Sequence, residues 1–166
     1  LGPSGSGKST LAGKIGEKFN LPVTHLDQCY FKPDWVKEDK EIFRKKIIDA
    51  ASQEAWVIDG NYGSHTDAFI HRFQRADTII FLKFSRWRCL WSVFKRFWKY
   101  RGVTRPDLVE GCDEKIDWEF IKYIWTFPGK SYPRIYKALN SHGQHAKFIT
   151  LHNFRETEKF LEDLIF

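Results

Sequence analysis

The sequence predicts an α/β domain, a parallel sheet with helices on both faces. Three observations carry this. A glycine-rich loop, Gly2 to Ser9, opens directly into a segment with an apolar stripe. Short apolar runs then alternate with longer segments of helical period. Two of those runs end in an acid, Asp27 and Asp59. Alternating strands and helices build parallel sheets, and ligands bind beyond the carboxyl ends of such strands.

Each element has its own signal. Leu11, Ile15 and Phe19, spaced by four, predict a helix from Ser9 to Phe19, which Leu21-Pro22 ends. Val23 to Asp27 predicts a short strand closed by a carboxylate, and Gln28 to Val36 a loop containing Pro33. Glu38 to Ser52 is amphipathic, with Ile42, Phe43, Ile47 and Ile48 expected to face inward. Trp56-Val57-Ile58 predicts a second strand, closed by Asp59-Gly60. Asn61 to Thr66 reads as a polar loop and Asp67 to Arg75 as a short helix.

Thr78 to Phe84 predicts a third strand, after which Ser85 caps a long helix to about Tyr100. Gly102 to Lys115 is a loop of mixed charge. Asp117 to Phe127 and Lys130 to Asn140 predict two helices, with Pro133 in the first turn of the second. Lys147 to Leu151 is the last strand and Glu156 to Leu164 the last helix. No composition break divides residues 1–166, so a single domain is expected. The phosphate loop of such a fold follows a central strand, expected here upstream of Leu1.

Composition narrows the class. The chain is 166 residues, 42% hydrophobic and 29% charged, which supports a packed core and excludes disorder. No apolar run approaches the roughly 20 residues of a membrane span, so no membrane partner is expected. The three cysteines, Cys29, Cys89 and Cys112, are odd in number and widely spaced. That pattern argues against a disulfide framework and for a reducing, cytoplasmic setting. His142 and His145 have no neighbouring thiolate or acid to complete a metal site.

The net charge is +6. It concentrates in one segment, where Lys83, Arg86, Arg88, Lys95, Arg96, Lys99, Arg101 and Arg105 occur with no acid between them. A polyanion, nucleotide phosphate or nucleic acid, is expected there.

Gly2-Pro3-Ser4-Gly5-Ser6-Gly7-Lys8-Ser9 fits G-x-x-x-x-G-K-[ST] in full, with Thr10 following. Glycines let consecutive N–H groups turn inward on a β-phosphate, and the helix that follows presents its positive end to the same anion. Lys8 reaches the β- and γ-phosphates, and the Ser9 hydroxyl ligates Mg²⁺. Asp59 is placed to hold the same metal. Asp27 is placed to orient an acceptor hydroxyl or take its proton. Each acid could instead cap a turn.

Trp87, Leu90, Trp91, Phe94 and Trp98 fall on one helical stripe, with Arg88, Ser92, Lys95, Arg96 and Lys99 opposite. The aromatics are expected in the core, as are those of Asp117 to Trp125. Arg101 and Arg105, flanking Gly102, suit a lid that stabilises charge on a moving phosphoryl group.

With Leu26-Asp27, Ile58-Asp59-Gly60-Asn61-Tyr62 and Arg101 to Asp107 added to the phosphate loop, the chain resembles the bacterial DNA topology modulation protein group. That group is a branch of the adenylate-kinase-like P-loop ATPases, and the resemblance runs from Gly2 to about Leu164. It implies a nucleotide-kinase-like fold with a five-stranded parallel sheet, a lid over about 86–127, and ATP with Mg²⁺. It implies an arginine of the lid helix at the adenine. Ser92 stands near that place, so Arg88 or Arg96 would serve, with the base near His152 and Asn153. Adenylate kinases carry Phe-Pro-Arg after the strand-end Asp-Gly, whereas this chain has Asn61-Tyr62-Gly63. The expected function is therefore phosphate transfer to a small acceptor other than plain AMP. The alternative is a nucleotide-dependent ATPase or regulator that binds DNA through the basic segment.

Overall fold

A computed structural model describes residues 1–63, 66–100, 108–112 and 116–164. Along the chain run α1 (Lys8–Phe19), β1 (Val23–His25), α2 (Leu26–Tyr30), β2 (Phe31–Lys32), a 3-10 turn (Pro33–Trp35), β3 (Val36–Lys37), α3 (Lys40–Ala51) and β4 (Val57–Asp59). Then follow α4 (Thr66–Arg75), β5 (Thr78–Leu82), α5 (Arg86–Lys99), α6 (Trp118–His142), β6 (Lys147–Leu151) and α7 (Phe154–Asp163).

Local chemistry sets the helix ends. α1 starts at Gly7, whose backbone is left-handed (φ 86°, ψ 17°), and ends at left-handed Asn20. Asp39, Ser85, Asp117 and Asn153 each cap a helix by accepting a backbone N–H through the side chain.

Three apolar clusters hold the elements together. Leu11, Leu82, Leu90, Val93, Ile124 and Leu151 join α1, β5, α5, α6 and β6. Phe69, Phe73, Phe81, Phe127 and Ile135 join α4, β5 and α6. Leu26, Phe43, Ile47 and Ala68 join α2, α3 and α4, all fully buried. Burying each of the larger side chains stabilises by about 1.5–3 kcal/mol.

The expected five-stranded parallel sheet is not formed. Among the described residues there are three two-stranded ladders. β1 pairs in parallel with β4, His25 opposite Asp59. β5 pairs in parallel with β6, Leu82 opposite Leu151. β2 and β3 form a small antiparallel hairpin. The physical reason is a separation: β4 and β5 share no hydrogen bonds. Among the described residues, β5 bonds to Leu1 in addition to β6, the Leu1 N–H donating to Ile80 O (2.8 Å) and the Leu1 carbonyl accepting from Leu82 N (2.9 Å). A groove of about 520 Å³ lies between the ladders, with Val57, Ile58, Ile79 and Leu82 among its walls.

Other expectations are corrected too. The strand predicted for Val23 to Asp27 stops at His25, and Leu26–Tyr30 is helical, so Asp27 lies on α2. The loop predicted over Gln28 to Val36 contains the end of α2 and the hairpin instead. The two helices expected on either side of Lys130 are one, α6, with Pro128 and Pro133 inside it. Proline removes one N–H and crowds the carbonyl four residues back. Here Phe127 before, and Ile135 and Ala138 after, all pack into one cluster, which anchors both halves of the helix. Ile42, expected inside, is exposed.

Candidate phosphate site and its carboxylates

The glycine-rich loop is tightly wedged. Gly5 has φ 82°, and a Cβ there would lie 2.3 Å from Cys89 O on α5. At Gly7 a Cβ would lie 3.1 Å from the Phe154 ring of α7. Glycine is thus required twice over, for its left-handed backbone and for the close approach. Buried Ser6 donates its hydroxyl to Pro3 O (2.8 Å), and Lys8 Nζ reaches back over the loop to the same carbonyl (3.3 Å). Gly2 and Pro3 are buried, Ser4 and Ser9 partly buried, and Thr10 exposed.

Asp59 ends β4 beside this loop and is 7% exposed. Its Oδ2 lies 3.3 Å from His25 Nδ1, while its buried Oδ1 has no hydrogen-bond partner. Burial alone would raise its pKa. His25, the Lys8 charge and the Ser9 hydroxyl outweigh that and hold it below the usual carboxylate range. An ionised carboxylate with one unpartnered buried oxygen, next to a serine and a lysine, fits a divalent cation and a phosphate chain. Ser9 and Asp59 are the residues that would hold Mg²⁺.

A polar web fixes the turn after Asp59. Asn61 Oδ1 accepts from Gly2 N (3.0 Å), and its Nδ2 donates to Gly2 O (2.8 Å). Arg72 of α4, 6% exposed, donates to Gly60 O (3.0 Å) and Asn61 O (2.7 Å). Burial lowers its pKa to about 10, against the pull of Asp59, so it remains a cation at neutral pH.

Asp27, on α2, sits among tyrosines. Tyr62 donates its phenol to Asp27 Oδ1 (2.5 Å) from a left-handed backbone (φ 41°). Burial, then the Asp27 charge, pushes the Tyr62 phenol far up, so it stays a donor. Tyr30 packs on Tyr62 with centroids 4.8 Å apart. Tyr123 of α6 reaches the same neighbourhood: burial and Asp27 raise its pKa, and Asn61 lowers it by a hydrogen bond. A carboxylate walled by aromatic rings can hold a hydroxyl-bearing molecule by one strong hydrogen bond and apolar contact.

The remaining expected residues divide. Arg88 lies over the Phe154 ring (4.8 Å), against the wall of Gly7, while Arg96 is partly buried on α5. His152 and Asn153 are committed to the start of α7. Asn153 Oδ1 accepts from Glu156 N (2.9 Å), and Glu156 accepts from His152 N (2.7 Å) and Asn153 Nδ2 (2.6 Å). Beside them a pocket of about 140 Å³ is lined by Gly7, Thr10, Phe154 and Thr157. Arg101 and Arg105 lie outside the described residues. Of the lid region, α5, residues 108–112 and the start of α6 are described.

The aromatic stripe of α5 contradicts its expectation. Cys89, Leu90 and Val93 form the buried side, while Trp87, Trp91, Phe94 and Trp98 are exposed. Trp118 and Trp125 of α6 are exposed as well, and Tyr123 exposes part of its ring while its phenol end is buried toward Asn61.

Sequence reasoning missed His25, Arg72 and Tyr123, and placed Asn61 and Tyr62 in an acceptor loop without roles. Arg72 carried a signal: it interrupts the buried stripe of Phe69, Phe73 and Ala76. No protein-family model matches the chain, and no curated protein does. Among the described residues, no helix is long and apolar enough to cross a membrane.

Proposed function

We propose that this chain is a Mg·ATP-dependent phosphotransferase acting on a small molecule with a hydroxyl or phosphate group. The observation that supports it best is the ionised, half-partnered Asp59 beside Ser9, Lys8 and a glycine cradle too tight for any Cβ. Bound Mg·ATP supplies the phosphoryl group, with the cation offsetting charge on its oxygens. The loop N–H groups and the positive end of α1 bind the phosphates, and Lys8 adds a point charge. Asp27 accepts the proton of an acceptor hydroxyl at its carboxylate, and Tyr62 orients that carboxylate. Arg101 and Arg105 stabilise charge on the group in transit. Arg88 and Phe154 offer a cation and a ring to the base. This agrees with the resemblance to the DNA topology modulation group, and the three free thiols suit a cytoplasmic setting.

A second reading, a nucleotide-dependent regulator that binds DNA, draws on the exposed cations of α5. The placement of Asp27 favours the enzyme, because a binding module has no use for a base there.

The test is a screen of nucleosides, nucleotides, sugars and hydroxy acids for transfer of labelled phosphate from ATP. One class should be labelled. Lys8→Ala should abolish turnover while its urea unfolding remains cooperative, as for a folded chain. Unchanged turnover in Lys8→Ala would refute the proposal.

A further inference from the structure

The outer side of α5 has an unusual composition. Trp87, Trp91, Phe94 and Trp98 are 72%, 57%, 42% and 69% exposed. At about 100° per residue they fall within an arc of about 60°, and Lys95 and Lys99 occupy the arc beside it. Lys83 to Arg105 contains no acid. The face is therefore half aromatic and half cationic, and a contiguous exposed apolar patch marks an interaction surface.

Charge selects the partner. A second copy would bring the same cations against each other across a twofold axis, which disfavours self-association. An anionic surface complements the face. Base stacking on a nucleic acid needs open ring faces. Here Lys95 Nζ lies over Trp91 (5.4 Å). Trp87 meets Trp125 edge-on (5.1 Å, 82°), and Arg86 covers the Trp125 ring (5.2 Å). Trp91 and Trp125 thus each have a cation over a ring face, and the stripe stands beside cations on flexible stems. The outer side of one helix is also a ridge, which suits a flat layer better than a strand of nucleotides. Tryptophan and phenylalanine settle at the boundary of headgroups and acyl chains, while lysine and arginine reach headgroup phosphates.

We propose that the outer face of α5 docks peripherally on a membrane surface rich in anionic lipid. The proposal is independent of the phosphotransfer reading, since Cys89 and Val93, against Gly5, lie on the opposite side of the helix.

The experiment mixes the full chain with phosphatidylcholine vesicles, with and without phosphatidylglycerol, at physiological ionic strength. Brominated acyl chains serve as quenchers of tryptophan fluorescence. Binding to the anionic vesicles with bromolipid quenching is expected, and none to the neutral ones. Lys95→Gln/Lys99→Gln should weaken binding about thirtyfold, from about 1 kcal/mol per cation near such a surface. Trp91→Ala/Trp98→Ala should lose most of the quenching and at least about tenfold in affinity. The wild-type quenching stands as a test even if a variant misfolds. Absence of binding to anionic vesicles overturns the proposal, as does binding without quenching. So does binding to a single-stranded oligonucleotide that excludes vesicles and falls by about 0.7 log units per phosphate contacted for each tenfold rise in salt.

Discussion

Two arginines of α4 make the same kind of bond in different surroundings, which permits a controlled prediction. Arg72 donates to Gly60 O and Asn61 O and is 6% exposed. Arg75 donates to Ala51 O (3.2 Å), Ser52 O (3.5 Å) and Gln53 O (3.2 Å) and is exposed. Methionine keeps much of the apolar stem and removes every donor. At Arg72, a hydrogen bond from a charged donor is worth about 1.5–3 kcal/mol net, and two are lost. Removing the guanidinium also relieves the burial of a charge whose Nε has no hydrogen-bond partner. The two effects partly offset, leaving a loss of about 3 kcal/mol. At Arg75 water replaces the lost donors, and the loss is about 1 kcal/mol or less. For a chain of this length that corresponds to falls of about 9 °C and 3 °C in Tm. Urea unfolding at constant m, with a thermal scan, measures both. Equal losses, or an Arg72→Met loss under about 1 kcal/mol, would refute the view that burial of these bonds fixes the turn after Asp59.

Three further outcomes are expected. Gly5→Ala must strain a left-handed backbone and push against Cys89 O, so it should destabilise by about 2 kcal/mol or more and weaken nucleotide binding. Gly13→Ala, with nothing within 4 Å of a Cβ, should stabilise by about 0.5–1 kcal/mol, both read by urea unfolding. Glu38, held by Lys32 (2.7 Å), Lys46 (2.9 Å) and Asp39 N (3.0 Å), has its pKa lowered to about 2. A lowered carboxylate stabilises the fold above its ordinary pKa and loses that contribution as pH falls. Between about pH 5 and pH 2 the wild type should therefore lose more stability than Glu38→Gln, and parallel pH profiles would exclude these ion pairs as a source of stability.

Local patterns were legible wherever the signal is local. The phosphate loop is read from its own glycines, because left-handed backbone and a close wall are needed at fixed spacing. Ser85 and Asp117 were legible as helix starts, because a cap acts within three residues. Pairing was not. Whether β4 and β5 share bonds depends on what lies between them, and a groove does. Asp117 to Phe127 and Lys130 to Asn140 read as two helices, and Phe127, Ile135 and Ala138 pack into one cluster along the single helix they form.

The sequence by itself showed the glycine pattern of residues 2–9 and the two acids Asp27 and Asp59 that follow apolar runs, because each of those signals lies within a few residues. Tertiary structure decided their company. It brought His25 to one oxygen of Asp59, Tyr62 to Asp27, and Arg72 to the turn between, over separations of 34, 35 and 12 residues. It also turned the tryptophans of α5 outward. A stripe on a helix states only that one side is apolar. Which side is covered depends on where the other elements pack, and α5 packs through Cys89, Leu90 and Val93.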